Sequence, residues 1–378
     1  MEEASGRPAG SGRLPTATET RPAEGARRAP TLKHVAALAG VSTATVARVL
    51  HNKGPVAADT RRAVEAAIRD SGYRLNVVAQ GLRKRRTFAL GHVMQTTALN
   101  PFFAGVAVGA ELEAERFGCG VLVYNTERDP DRERRGVEML IQRRVDAILF
   151  TTPTSDRNVE LAIEAGIPVV QVERVGPAPT HTVTVNNYVG SRAAIEHLIA
   201  LGHRRIAFLG VDPRPPGDET PGKVSRRSVE RERFGGFADA MAAAGIAPPP
   251  GFVSLGETYY SPEHAAGVAA RWFALPRGEQ PTAIFAGCDI LAAGVLQEAY
   301  RAGLRVPDDL SIVGFDDTYA PYLTPALTTV EQPVYALGQA AIRLAMAALE
   351  DDGEDVIRTE RLATTLIVRC STGPAPVY

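Results

Sequence analysis

Tryptophan occurs once and cysteine three times in 378 residues. The cysteines, at 119, 288 and 370, are odd in number and far apart. They cannot all pair within the chain, and their spacing excludes a metal cluster built on short Cys intervals. A reducing cytoplasm is the expected setting. Long apolar runs are missing too: none approaches the ~18 residues that a membrane-spanning helix requires. The first thirty residues carry Glu, Arg, Pro and Gly and no apolar segment. That excludes a secretory signal and makes 1–30 an expected disordered tail. Catalytic signatures are equally scarce. The chain has no P-loop, no Gly-rich dinucleotide fingerprint after its first strand, no HExxH and no nucleophile elbow. A protein that is not an enzyme, with no cofactor and no metal, is the expectation.

The formal net charge of −1 conceals two unlike parts. Residues 31–86 hold eleven Lys/Arg against three Asp/Glu, a net +8, whereas residues 87–378 sum to about −10. A small basic segment on a larger acidic body points to a polyanion-binding module on a globular protein.

The basic segment opens with "TLKHVAALAGVSTATVARVL" from Thr31 to Leu50. Leu32, Val35, Ala36 and Ala39 recur at intervals of three and four, the period of one helix face. Gly40 can take the left-handed conformation of a tight turn. Ser42 is placed to cap a second helix, whose apolar stripe is Val46, Val49 and Leu50. The opposite face carries Thr43, Ala44, Ala47, Arg48 and His51. A third amphipathic helix is predicted over 58–71, with Val64, Ala67 and Ile68 inward. Two short helices, a glycine turn and a supporting third helix describe a helix-turn-helix, whose second helix enters the DNA major groove. The groove explains the small residues, because the backbone must sit close to the base edges. Ser42, Thr43 and Thr45 suit phosphates and base edges, the Ala44 methyl suits thymine, and Arg48 can reach guanine.

"TLKHVAALAGVSTATVARVL" followed by "VAADTRRAVEAAIRDSGYRLNVVAQGLR" resembles the DNA-binding headpiece of the LacI/GalR family of bacterial transcriptional repressors, most densely over residues 31–83. The resemblance implies that Thr31, Ser42, Thr43, Ala44, Thr45, Arg48 and His51 form the contact surface for palindromic operator DNA. It further implies that 76–86 is a hinge helix, with Leu82 wedged between base steps in the minor groove and Arg83 to Arg86 against phosphates. By itself Asn76 to Leu82 is barely two turns, marginal as an isolated helix, and Gly81 weakens it by about 1 kcal/mol relative to Ala.

From Phe88 the period changes. "FALGHVM" reads as a buried strand and "NPFFAGVAVGAELEAERFG" as a helix with Asn100 at its N-cap and Pro101 at its first position. Strands and helices then alternate through "GVLVYN", "DAILFTT", "PVVQVE", "HTVTVN", "RRIAFLG", "FVSLG", "AIFAG" and "SIVGFD". Such alternation predicts an α/β body of doubly wound parallel sheets, too large for one core. Two lobes with a crossing chain fit a periplasmic-binding-protein-like architecture, which the resemblance also implies. The expected organisation is a tail (1–30), an all-α helix-turn-helix headpiece (31–75), a hinge (76–86), one lobe from 87–185 and 333–355, and a second from 186–332 and 356–378.

In such folds ligands lie beyond the carboxyl ends of the strands. The side chains that follow strands are Asn100, Phe102 and Phe103, then Glu173 and Arg174, then Arg233, Tyr259 and Tyr260, then Cys288, Asp289 and Asp316. Carboxylates and an arginine suit sugar hydroxyls, and aromatic faces cover sugar C–H surfaces. The predicted effector set is Asn100, Phe102, Phe103, Glu173, Arg233, Tyr260, Asp289 and Asp316. Phe102, Arg233, Asp289 and Asp316 match the family pattern most clearly. Phe103 fits the core better than a ligand contact, and Tyr259 and Tyr260 cannot both face the cleft from one strand. No leucine heptads follow the last strand, so a homodimer is expected rather than a coiled-coil tetramer. The expected function is a cytoplasmic regulator whose operator affinity is set by a small ligand, a sugar before a purine base or nucleoside. The alternative is a sugar-binding or sugar-modifying protein that binds no operator.

Overall fold

The computed structural model describes residues 30–50, 54–74, 86–96, 100–174, 176–211, 229–255, 261–351 and 356–377. The chain divides into two compact units, 1–76 and 77–378.

The first unit holds α1 (Leu32–Leu38), α2 (Thr43–Leu50) and α3 (Ala58–Ser71). Thr31 caps α1, its hydroxyl accepting from the His34 N–H at 3.3 Å. Ser42 caps α2 as its sequence position suggests, accepting from the Thr45 N–H at 3.1 Å. Gly40 makes the turn at φ +64°, a conformation that costs other L-residues roughly 1–2 kcal/mol. The interhelical core is Val35, Val46, Val49 and Val64 with Ala36 and Ala67, ringed by Leu32, Leu50, Ile68 and Tyr73. The two alanines at the centre let short helices approach closely without voids.

The second unit contains two six-stranded sheets. The strands of the first are β1 (Ala89–Met94), β2 (Gly120–Asn125), β3 (Ala147–Thr151), β4 (Val169–Val172), β5 (His181–Val185) and β11 (Thr359–Leu362). Their order is β11-β5-β4-β3-β1-β2. The second sheet uses β6 (Ile206–Gly210), β7 (Val253–Leu255), β8 (Ala283–Ala286), β9 (Ser311–Asp316), β10 (Thr328–Glu331) and β12 (Thr365–Ile367) in the order β12-β10-β9-β8-β6-β7. All pairings are parallel except β10 with β12. Each sheet repeats the doubly wound order 2-1-3-4-5, in which the crevice opens where the strand order reverses.

Helices cover both faces of each sheet. On the first sheet α4 (Pro101–Arg116) and α11 (Val334–Ala348) share one apolar core, while α5 (Pro130–Gln142) and α6 (Asp156–Glu164) build another on the opposite face. On the second sheet α7 (Asn187–Ala200) and α8 (Val229–Ala243) lie on one face and α9 (Pro262–Phe273) and α10 (Asp289–Arg301) on the other. Asn100 caps α4 from the position read in the sequence, accepting from the Phe102 N–H at 3.0 Å. The α4–α11 contact is so close that a Cβ on Gly109 would lie 2.1 Å from the Tyr335 carbonyl oxygen, and one on Gly338 2.1 Å from that of Val106.

One lobe boundary differs from the sequence-based expectation. Residues 356–378 were assigned to the second lobe, but β11 pairs in parallel with β5 in the first sheet. The chain therefore crosses between lobes three times: near 186, near 332 and between 362 and 365. The reason is local. Thr359–Leu362 alternates between exposed and half-buried residues, as an edge strand of either sheet does. Among the described residues no helix is long and apolar enough to cross a membrane.

Candidate DNA-contact helix and effector cleft

Helix α2 turns Val46 and Val49 into the headpiece core and leaves Thr43, Ala44 and Arg48 exposed. The side chains assigned to base edges thus share its outer face. Ser42 and Thr45 also bond each other, hydroxyl to hydroxyl at 2.9 Å, which leaves each less free for a phosphate. His51, Leu82 and Arg83 lie outside the described residues, as do Tyr259 and Tyr260 in the body.

In the body, the carboxyl ends of both sheets face a cleft of about 690 Å³, part of it open to solvent. Asn100, Glu173, Arg233, Cys288, Asp316 and Gln332 form the centre of its polar lining, with Gln95, Arg128, Thr152, Arg174 and Glu230 also in its wall. Phe102 and Phe103 form an apolar wall from the start of α4. Their rings meet edge to face, centroids 5.3 Å apart. Both are also part of the core under α4, so Phe103 packs in the core and borders the cleft at once.

Arg233 is the hub. It projects from the first turns of α8 and is 4% exposed, an uncommon burial for a cation without partners. Its Nε donates to Asn187 Oδ1 at 2.8 Å and its Nη1 to the Gly287 carbonyl at 2.6 Å. Its guanidinium carbon stands 3.8 Å from the centroid of the Phe315 ring, a cation–π contact. Glu173, from the first lobe, lies 4.0 Å from it, and Asp316, from the second, 3.9 Å. Glu173 accepts from the Val185 N–H at 2.8 Å and from Asn187 Nδ2 at 3.4 Å. Asp316 accepts from Gln332 Nε2 at 2.6 Å and also from Asn100. Asn100 thereby caps a helix of one lobe and bonds a carboxylate of the other.

Burial pushes the Glu173 carboxyl up to about 7, against the opposing pull of Arg233 and the Val185 N–H. Burial likewise raises Asp316 to about 6, with Arg233 again opposing. Two carboxyls share one arginine and each sheds part of its charge near neutrality. The backbone is strained at the same place. Arg128, Thr152, Glu173 and Asp316 all line the cleft and all have positive φ, at 61°, 50°, 65° and 123°. Non-glycine residues in these regions cluster at ligand-binding sites, where the surrounding structure holds them.

Of the predicted effector set, Asn100, Phe102, Phe103, Glu173, Arg233 and Asp316 come together in the cleft wall. Asp289 does not. It opens α10, but its carboxylate accepts from the Thr329 hydroxyl at 2.6 Å and from the Thr318 N–H at 3.3 Å. It is fully buried and braces β10 and the loop after β9. Cys288 takes its place in the wall. Sequence reasoning missed Gln95, Arg128, Thr152, Val229, Glu230 and Gln332. Three of these carried a usable signal: Gln95, Thr152 and Gln332 each directly follow a strand, β1, β3 and β10.

A helix-turn-helix joined to a two-lobed α/β body with a charged, buried cleft defines a class: DNA-binding regulators that answer to small molecules. The comparisons agree. Residues 31–76 match the model for bacterial regulatory proteins of the lacI family. Residues 195–372 match the model for a periplasmic binding protein-like domain. The chain is 34% identical to the HTH-type transcriptional repressor PurR of Photobacterium profundum over 345 residues, 90% of this chain and 98% of that protein. It is 32% identical over 343 residues to the ribose operon repressor of Escherichia coli, with 89% and 98% covered. The structure of a lac repressor dimer bound to operator and an anti-inducer superimposes with a TM-score of 0.70 at 27% identity, covering 91% of this chain and 99% of that one. The chain belongs to the lacI family of bacterial regulatory proteins. It is a DNA-binding transcriptional regulator with a ligand-binding body.

Proposed function

We propose that this regulator is a repressor that binds a palindromic operator as a homodimer and exchanges it according to a sugar held in the cleft. The observation that carries the reading is the Arg233 guanidinium between Glu173 and Asp316, with Asn100 and Gln332 beside them. Donors and acceptors alternate around the cleft, which suits the paired donor–acceptor character of vicinal hydroxyls. The cleft sets Arg128, Arg174 and Arg233 against Glu173, Glu230 and Asp316, a formal balance of charge that suits an uncharged ligand. A flat purine would gain most from two parallel rings. Among the described lining residues the rings are Phe102 and Phe103, on one helix and edge to face, and they offer no sandwich. Burial pushes the Cys288 thiol well up, so at neutral pH it lines the cleft as a neutral thiol and not as a nucleophilic thiolate.

The test is a thermal-shift screen of the full chain against pentoses, hexoses, nucleosides and purine bases. A ligand at about 100 times its Kd stabilises by about 2.7 kcal/mol. A sugar should raise the melting temperature of the wild type and leave Arg233→Met unmoved. A shift from a purine base alone would replace the sugar with the second effector class. A shift that persists in Arg233→Met would place the ligand elsewhere.

A further inference from the structure

The first residues of the body are held by a single carboxylate. Asp146 sits at the corner between α5 and β3, its side chain 5% exposed. Its Oδ1 accepts from the Thr87 N–H at 2.7 Å and from the Thr87 hydroxyl at 3.0 Å. Its Oδ2 accepts from the Phe88 N–H at 2.8 Å and stands 3.5 Å from Arg86 Nε. The Thr87 hydroxyl also reaches the Arg144 carbonyl at 2.9 Å. Phe88 sits at φ +56°. For a bulky aromatic this is a backbone outlier, and such outliers persist only where neighbours over-determine them.

Strand β1 starts at Ala89 and is already paired on both sides, with β2 and β3. Thr87 is exposed, so water could serve its N–H. What the carboxylate does fix is the path of residues 86–88 at the start of the body. A second element reaches the same segment. Arg86 Nη2 lies 3.5 Å from Met346 Sδ near the end of α11. That helix starts two residues after Gln332, which lines the cleft and bonds Asp316. It spans fifteen residues, about 22 Å at 1.5 Å per residue. Its glycine contact with α4 at Gly109 and Gly338 makes the pair a close-packed unit. One end of α11 thus stands at the cleft and the other at the chain exit.

We propose that Asp146 is a positioning residue: by holding residues 86–88 it sets the path on which the chain leaves the body, and selective binding of operator DNA depends on that path. The proposal rests on the operator-binding function argued above. The experiment uses the full chain and a palindromic duplex selected by the wild type from a random pool. Affinity is measured for that duplex and for a random duplex of equal length, and amide exchange is followed at Thr87 and Phe88. Asp146→Ala should weaken the selected duplex roughly ten-fold or more, while random DNA changes by about two-fold or less, because phosphate contacts are sequence-blind. Asp146→Asn keeps one acceptor oxygen and should fall between. Thr87→Val keeps both backbone bonds and should stay near wild type. The two amides should be protected in the wild type and exposed in Asp146→Ala.

Equal losses on both duplexes, or a wild-type ratio of the two affinities, would overturn the proposal; so would unprotected amides in the wild type. If Asp146→Ala does not fold, Asp146→Asn decides. If the wild type selects no duplex, the operator function itself fails, and amide exchange alone judges the clamp.

Discussion

Arg233 lies between two carboxyls that burial has raised, Glu173 to about 7 and Asp316 to about 6. Both folded values stand above the ordinary ones, 4.5 and 3.8. Protonation of such a group favours the folded state. The stability it confers is complete below the ordinary value and is lost as pH rises through the raised one. For Glu173 that window runs from about pH 4.5 to about pH 7. Glu173→Gln stays neutral throughout. The ligand-free wild type should therefore lose stability relative to Glu173→Gln between pH 5 and pH 8, on the order of 1–3 kcal/mol. Chemical denaturation of both proteins across this range measures the difference, and parallel curves would show that Glu173 does not titrate there. The same residues show how far the sequence reaches at this scale. Glu173 and Asp316 were legible because they end strands. Gln332 follows a strand too, but β10 is only four residues long and does not read as a strand in the sequence, so its strand-end signal goes unused. Asp289 obeyed the strand-end rule and failed it in space. A helix-opening side chain can turn inward when a hydroxyl such as that of Thr329 waits behind it, and sequence does not display that partner.

At the scale of elements, the α4–α11 contact depends on glycine. A Cβ on Gly338 would press on the Val106 carbonyl and the Ala110 nitrogen, at 2.1 and 2.5 Å. Both are backbone atoms, so the helices themselves must part. Gly338→Ala should destabilise the body by about 1–3 kcal/mol, the usual cost of overpacking, despite alanine's better helix propensity. A denaturant melt checks it, and a neutral or stabilising result would mean that the helices separate freely. Helix α2 carries the second element-scale prediction. Arg48 is the long donor on its exposed face, so Arg48→Ala should weaken specific binding by about 1–3 kcal/mol. Equal loss on random DNA would make it a phosphate contact. Helices α1 to α3 were legible because cap, glycine turn and apolar period agree there. The place of β11 was not, since a four-residue edge strand with half-exposed side chains fits either sheet. Pairing across 177 residues, as between Thr182 and Thr359, leaves no local trace.

At the scale of the whole molecule, a headpiece segment of net +8 joins an acidic body. Binding to DNA should weaken steeply with salt, because each neutralised phosphate releases counterions. The two units serve different ligands, and the function proposed for the chain is the coupling between them. A coupling of this kind typically changes affinity by about 5–150-fold, and the effect is reciprocal. The most direct test is the affinity of the full chain for its selected palindromic duplex at fixed salt, with and without the sugar that stabilises it, for wild type and Arg233→Met. The account predicts that the sugar changes the wild-type affinity by about five-fold or more and leaves Arg233→Met unchanged. A wild-type affinity indifferent to a sugar that demonstrably binds would contradict it.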